Sequence, residues 1–326
     1  MACLYPLKGW RSYAVNPKTG KRSIVFGKGK MARRNPDDAV QVPCGRCIDC
    51  RLEHSRQWAI RCEKEAELYD QNCVITLTYD SENLPKNGSI EIADAQKFMK
   101  RLREKYEGKV IRSFGCAEYG EKGGRPHYHL LLFNHEFEDK KLDLSMQGLQ
   151  PEHKYWTSEI LDQLWGMGRT QIMPLNFETA AYVARYVMKK IKSPGHTRTK
   201  QDPGSLKFVA IADERSICVS RRPGVAADWY KRYKHGLCNS HTIFSRGRSM
   251  ATPTFFNRRM EIDDPSLYQK IKYQKKLDLK KYQDNLRIQH LNGNHINSAK
   301  LGYRPRIEAE TICKRATINH LKRGLR

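Results

Sequence analysis

The chain has 326 residues, which at about 150 residues per domain suggests two domains and a sizeable core. Lys and Arg number 60 against 35 Asp and Glu, a formal net charge of +25; such a field attracts polyanions, nucleic acid first among them. A hydrophobic share of 39% with 10% aromatics excludes a wholly disordered basic chain, and no run approaches the roughly 18 apolar residues of a membrane helix.

The opening residues, Met1 to Ser12, lack the apolar stretch of a signal peptide. The expected location is a cytoplasm, where the 10 cysteines stay reduced and serve as core residues, metal ligands or nucleophiles. Residues 1–43 are rich in Gly, Lys and Arg with little periodicity, and read as loop with short strands. Cys44-Gly-Arg-Cys47-Ile-Asp-Cys50 then brings three thiols together. A structural zinc site is normally closed by four N or S donors. Cys3 is a fourth if the N-terminus folds back, and His54 is another candidate. Reduced thiols at a loop–helix junction are the plainer alternative.

Arg51 to Tyr69 is free of Gly and Pro and reads as a helix. Cys73 to Tyr79 is a β-branched run and reads as a strand. Ile92 to Tyr106 sets Phe98, Met99, Leu102 and Tyr106 on one helical side. Val110 to Tyr119 and His127 to Phe133 read as strands around a Gly-rich turn. A short helix ending near Trp165, a strand over Arg169 to Leu175 and a helix over Phe177 to Ile191 follow. This order predicts an α+β fold, helices packed on an antiparallel sheet. Residues 231–326 hold 22 Lys and Arg against 7 Asp and Glu, so the C-terminal tail reads as basic and partly helical. The expected division is 1–70 with the cysteine cluster, 71–235 as the central domain, and 236–326 as the basic region.

Within Arg125-Pro-His127-Tyr-His129-Leu-Leu-Leu-Phe133, strand alternation points His127 and His129 to one face. If the turn pairs Glu118 with His127, two imidazoles and a carboxylate share that face. Such a set holds a divalent ion with positions left open to polarise a phosphate. The alternative is two polar strand residues facing water. On Ala180-Ala-Tyr182-Val-Ala-Arg-Tyr186-Val-Met-Lys189-Lys190, helical spacing gathers Ala180, Val183, Ala184, Val187 and Ile191 into an apolar stripe. Tyr182, Tyr186 and Lys189 fall opposite, the two phenols one turn apart. A phenolate favoured by a nearby cation can attack phosphorus and conserve the bond as a phosphotyrosine. A surface aromatic pair is the alternative.

Together these residues resemble the HUH endonucleases that initiate rolling-circle replication, in particular the replication initiators of Microviridae, the small single-stranded DNA phages, and their gokushovirus branch. The likeness rests on the Cys-Gly-x-Cys-x-x-Cys, the Thr-Leu-Thr-Tyr strand and Arg-Pro-His-x-His-Leu-Leu-Leu. It continues through Tyr-Val-Ala-Arg-Tyr-Val with its Lys and Arg221-Arg-Pro-Gly224, covering roughly residues 40–235. It implies an HUH-type sheet, metal ligands at His127, His129 and Glu118 for Mg²⁺ or Mn²⁺, nucleophiles at Tyr182 and Tyr186, and assistance from Lys189. It also implies nicking of single-stranded and replicative-form viral DNA at an origin, host replication proteins as partners and the host bacterial cytoplasm as location. A relaxase or transposase uses the same chemistry. A non-catalytic nucleic-acid-binding or packaging protein would need only the charge.

Overall fold

The computed structural model describes residues 3, 5–17, 21–27, 34–85, 87–120, 124–147, 154–186, 199–201, 208–240 and 242–291. The described residues form two compact units, one through His54 and one from Ser55 onward. In the first, Leu7–Val15 (β1), Arg22–Val25 (β2) and Arg34–Val42 (β3) make an antiparallel sheet in the order β2-β1-β3. The strands are longer than the composition suggests. Little of this sheet is buried, so its strands carry no clean apolar alternation, and pairing rather than burial defines them. Gly9 of β1 is required by close approach, since a Cβ there would stand 2.6 Å from Ile24 Cγ2. Ile48–Ala66 (α1) runs across the boundary between the units.

The second unit is built on a sheet assembled from Asn72–Thr78 (β4), Arg112–Tyr119 (β5), Pro126–Phe133 (β6), Lys141–Leu142 (β7), Trp156–Thr157 (β8), Thr170–Pro174 (β9) and Arg215–Ile217 (β12). Its seven strands run antiparallel in the order β12-β5-β6-β4-β9-β8-β7. Between these strands in sequence lie Ile92–Lys105 (α2), Leu144–Gln147 (α3), Glu159–Trp165 (α4) and Phe177–Tyr186 (α5), followed by the strand pair Thr199–Gln201 (β10) and Phe208–Ala210 (β11). The α+β layering is the one expected.

Both faces of the sheet are covered. Ile75, Leu77, Tyr128, Leu130 and Leu132 pack with Phe98, Met99 and Leu102 of α2 and Leu161 and Trp165 of α4. Val74, Phe114, Cys116, Leu131 and Phe133 pack on the other face with Cys62 of α1 and Ala180, Val183 and Ala184 of α5. Double burial explains why β4 and β6 read as near-continuous apolar runs rather than alternating ones. Ser158 caps α4 by accepting from Leu161 N–H, and Gly166 ends it in the left-handed conformation. Two residues on, Gly168 leaves no room for a Cβ, which would lie 2.3 Å from Asp80 N.

Ala227–Ser240 (α6), the hairpin Thr242–Ser245 (β13) and Arg248–Ala251 (β14), Thr254–Asp263 (α7) and Pro265–Leu291 (α8) complete the unit. The basic stretch is helical in α7 and α8, as expected, and it also carries core: Phe256, Met260 and Ile271 are buried with Trp229, Tyr230 and Ile60. No helix among the described residues is long and apolar enough to cross a membrane.

Candidate active site

The β5–β6 register pairs Glu118 with His127 and Cys116 with His129. Glu118, His127 and His129 therefore project from the same sheet face, the one covered by α5. His127 Nε2 lies 2.7 Å and His129 Nε2 3.0 Å from the same Glu118 oxygen, Oε1. The ligand atoms of the three residues all fall within 4.8 Å of one another. Each imidazole is held from behind through Nδ1. That of His127 is 3.2 Å from the Arg125 carbonyl, and that of His129 is 3.0 Å from Thr76 Oγ1 on the adjacent β4. An Nδ1–H donating to a carbonyl leaves Nε2 as the lone-pair atom of the neutral ring, the orientation that metal-ligating histidines need. Thr76 was not singled out by sequence reasoning. Its signal was alternation on β4, which puts Val74, Thr76 and Thr78 on the histidine face.

Burial alone would push the Glu118 carboxyl up. Hydrogen bonds from His127 and His129, and the charge those rings can carry, outweigh it and hold the group at about 2. Glu118 is thus an anion facing two imidazoles in a nearly dry site, with Glu118 and His129 buried and His127 half-buried. Two neutral nitrogens and one carboxylate oxygen, converging from rigid strands, form a donor set suited to a divalent cation.

Tyr182 stands beside this set. Its ring meets the His129 ring edge to face at 5.5 Å between centroids. The helix is placed by its inner stripe, since Ala180, Val183 and Ala184 are fully buried against the sheet. Ser55 of α1 adds a hydroxyl donated to Ala181 O. The Arg185 guanidinium lies 5.8 Å from the Tyr182 ring centroid, so a cation accompanies the phenol from within the helix. Tyr186 is the last described residue of α5, one turn beyond Tyr182, and its side chain lies outside the described residues, as does Lys189. The Arg221–Gly224 stretch lies apart from this centre. It is pinned near the start of β5, where Arg112 donates to Pro223 O at 2.9 Å. Glu118 lies near the other end of that strand, roughly 20 Å away at the usual rise per residue.

The cysteines form a second cluster. Cys3, Cys44, Cys47 and Cys50 bring four Sγ atoms within 4.8 Å of one another, without His54. Cys3 Sγ is 3.8 Å from Cys47 Sγ, and Cys44 Sγ is 4.0 Å from Cys50 Sγ. A tetrahedron with Zn–S bonds of about 2.3 Å has edges of roughly 3.8 Å, so the spacing fits that ion. Gly45, at φ +72°, turns the chain so that the Arg46 and Cys47 amides donate to Cys44 Sγ at 3.4 and 3.3 Å. Burial raises the Cys44 thiol, but these donors prevail and bring it down to about 7, towards the thiolate that a metal requires.

Residues 72–191 match a family model of replication-associated proteins, the one described by the ORF2 protein. The chain is 35% identical over 293 residues to the replication-associated protein VP4 of Bdellovibrio phage phiMH2K, covering 81% of this chain and 88% of that one. It is 28% identical over 279 residues to the replication-associated protein ORF2 of Spiroplasma virus 4, 80% of this chain and 81% of the other. A third relative, the replication-associated protein ORF4 of Chlamydia phage 1, is 31% identical over 153 residues, 46% and 38% of the two chains. No solved structure matches the chain significantly. An alignment of that extent spans the strands that bear Glu118, His127 and His129 and the helix that bears Tyr182, and on it the chain belongs to the replication-associated proteins of the Microviridae.

Proposed function

We propose that this protein is an HUH-type endonuclease and strand transferase that opens phage DNA at an origin and starts rolling-circle replication. The observation that carries the reading is the Tyr182 ring, 5.5 Å from His129, beside a three-donor cluster. Tyr182 Oη attacks the scissile phosphorus. The tyrosine–phosphorus bond forms as the bond to the leaving 3′-oxygen breaks, and that oxygen takes a proton to become a 3′-hydroxyl primer. The 5′ end stays on the protein, so bond energy is kept for the reverse attack that rejoins the displaced strand. Glu118, His127 and His129 would hold Mg²⁺ or Mn²⁺, which when bound neutralises charge on the scissile phosphate. Arg185 supplies a fixed positive charge near the phenol. Tyr186 is assigned the second attack, and Lys189 is assigned to assist.

The substrate is single-stranded or replicative-form viral DNA in the host cytoplasm, and the primer end is handed to host replication proteins. Incubating the protein with single-stranded origin oligonucleotides and Mn²⁺ should give a covalent adduct that survives denaturation. His127→Ala or His129→Ala should abolish the adduct while DNA affinity holds, because phosphate contacts elsewhere position the strand. Unabated cleavage by the double histidine variant in chelator would refute the metal assignment. A protein that binds DNA tightly and never forms an adduct would be a packaging or DNA-binding protein instead. We also read the four cysteines as a structural zinc site, closed by four thiolates with no open position.

A further inference from the structure

The hairpin β13–β14 is not explained by the chemistry above. Its turn is Arg246-Gly247, both residues at positive φ (55° and 67°), the two-residue connection that matches strand twist. Pairing sets Ile243 against Met250 and Phe244 against Ser249. Ile243 is buried, whereas Phe244 on the opposite side is 64% exposed. The positions around Phe244 on that side are Thr242, Ser249 and Ala251, too small to cover an aromatic ring.

The hairpin is fastened to the tyrosine helix. Arg246 Nη2 lies 2.8 Å from Glu178 Oε1, and its guanidinium stands 5.4 Å from the Phe177 ring. Glu178 precedes Tyr182 by four residues, so both lie on one side of α5, a turn apart. The base of the hairpin is tied down as well, by Arg56 donating to Ala251 O at 2.8 Å. From Thr242 to Arg259 the chain carries Arg246, Arg248, Arg258 and Arg259 and no acidic residue. A rigid, cationic ribbon with an uncovered aromatic ring beside the nucleophile suits an unpaired base and its phosphate. Duplex DNA keeps its bases stacked and offers no free face to such a ring.

We propose that this hairpin is a strand guide: Phe244 stacks on a base of single-stranded DNA and Arg248 meets a neighbouring phosphate, leading the strand towards Tyr182. The proposal rests on the endonuclease reading only for which phosphate is presented. The test is binding of the full chain to single-stranded oligo(dT), measured by anisotropy without divalent ion, so that no cleavage enters. Phe244→Ala should weaken it roughly 5- to 100-fold, the range of one base–aromatic stack, while Phe244→Trp keeps it near the wild-type value. Arg248→Gln should weaken binding and flatten its salt dependence. Binding of duplex DNA should change little with Phe244→Ala. Unaltered single-strand affinity in Phe244→Ala, or an equal loss on duplex, overturns the guide. Absence of any covalent adduct in the wild type refutes the endonuclease reading and leaves the binding result standing.

Discussion

Thr76 lies on the strand next to β6 and directs its hydroxyl to His129 Nδ1 at 3.0 Å. That contact decides which nitrogen of the ring faces Glu118. Thr76→Val keeps the branched shape but removes the partner, so Mn²⁺ affinity should fall by about 10- to 100-fold with the fold intact. Calorimetric titration reads this directly, and an unchanged affinity would mean His129 needs no support from β4. His135 is a different kind of histidine. It is fully buried between the rings of Tyr106 and Phe137, at 4.5 and 4.7 Å. Burial, helped by the charge of Lys109, pushes it down from 6.5 to about 4. Below about 6.5 the unfolded chain therefore takes up a proton that the folded chain refuses until about 4. Stability from this residue is complete above the upper value and is lost as pH falls through the lower one. Urea midpoints at pH 7 and pH 4.5 should differ less in His135→Phe than in the wild type; equal differences would exclude His135 as the cause.

At the scale of elements, two turns of chain present chemistry that their neighbours make useful. The Cys44–Cys50 turn and the first residues of α1 place three thiols, and the fourth comes from Cys3. Backbone amides already favour thiolate at Cys44, so bound zinc should be tight. Metal analysis of the purified protein should find about one zinc per chain, and Cys47→Ser should lose it. A metal-free preparation with an unchanged melting temperature would exclude a structural role. Helix α5 works by division of labour between its sides. Ala180, Val183 and Ala184 are fully buried, while Tyr182 is left half-exposed beside the histidines. The spacing of small and aromatic residues made this division legible before any contact was known. The role of Glu178 as an anchor for Arg246 was not legible, because its partner lies 68 residues away.

The whole molecule carries a net charge of +25, and its basic C-terminal stretch is divided in use. Phe256, Met260 and Ile271 belong to a core with Ile60 and Trp229, so a deletion from 240 onward would strip that core. The informative truncation ends at Leu291. It removes eight Lys and Arg and two Glu, and the slope of log affinity against log salt should become shallower as fewer counterions are released. An unchanged slope would mean residues 292–326 make no phosphate contact.

What the sequence determined by itself was local. Period-two alternation put His127 and His129 on one face, helical spacing separated Tyr182 from the apolar stripe, and the Gly-rich turn paired β5 with β6. These follow from backbone geometry, which neighbouring residues in the chain share. The tertiary structure decided everything that needed two distant segments. It set Thr76 behind His129, Tyr182 against the histidine pair, Cys3 into the thiol cluster and Arg246 onto Glu178. Such contacts depend on strand order and helix packing, which side-chain periodicity within one segment does not encode.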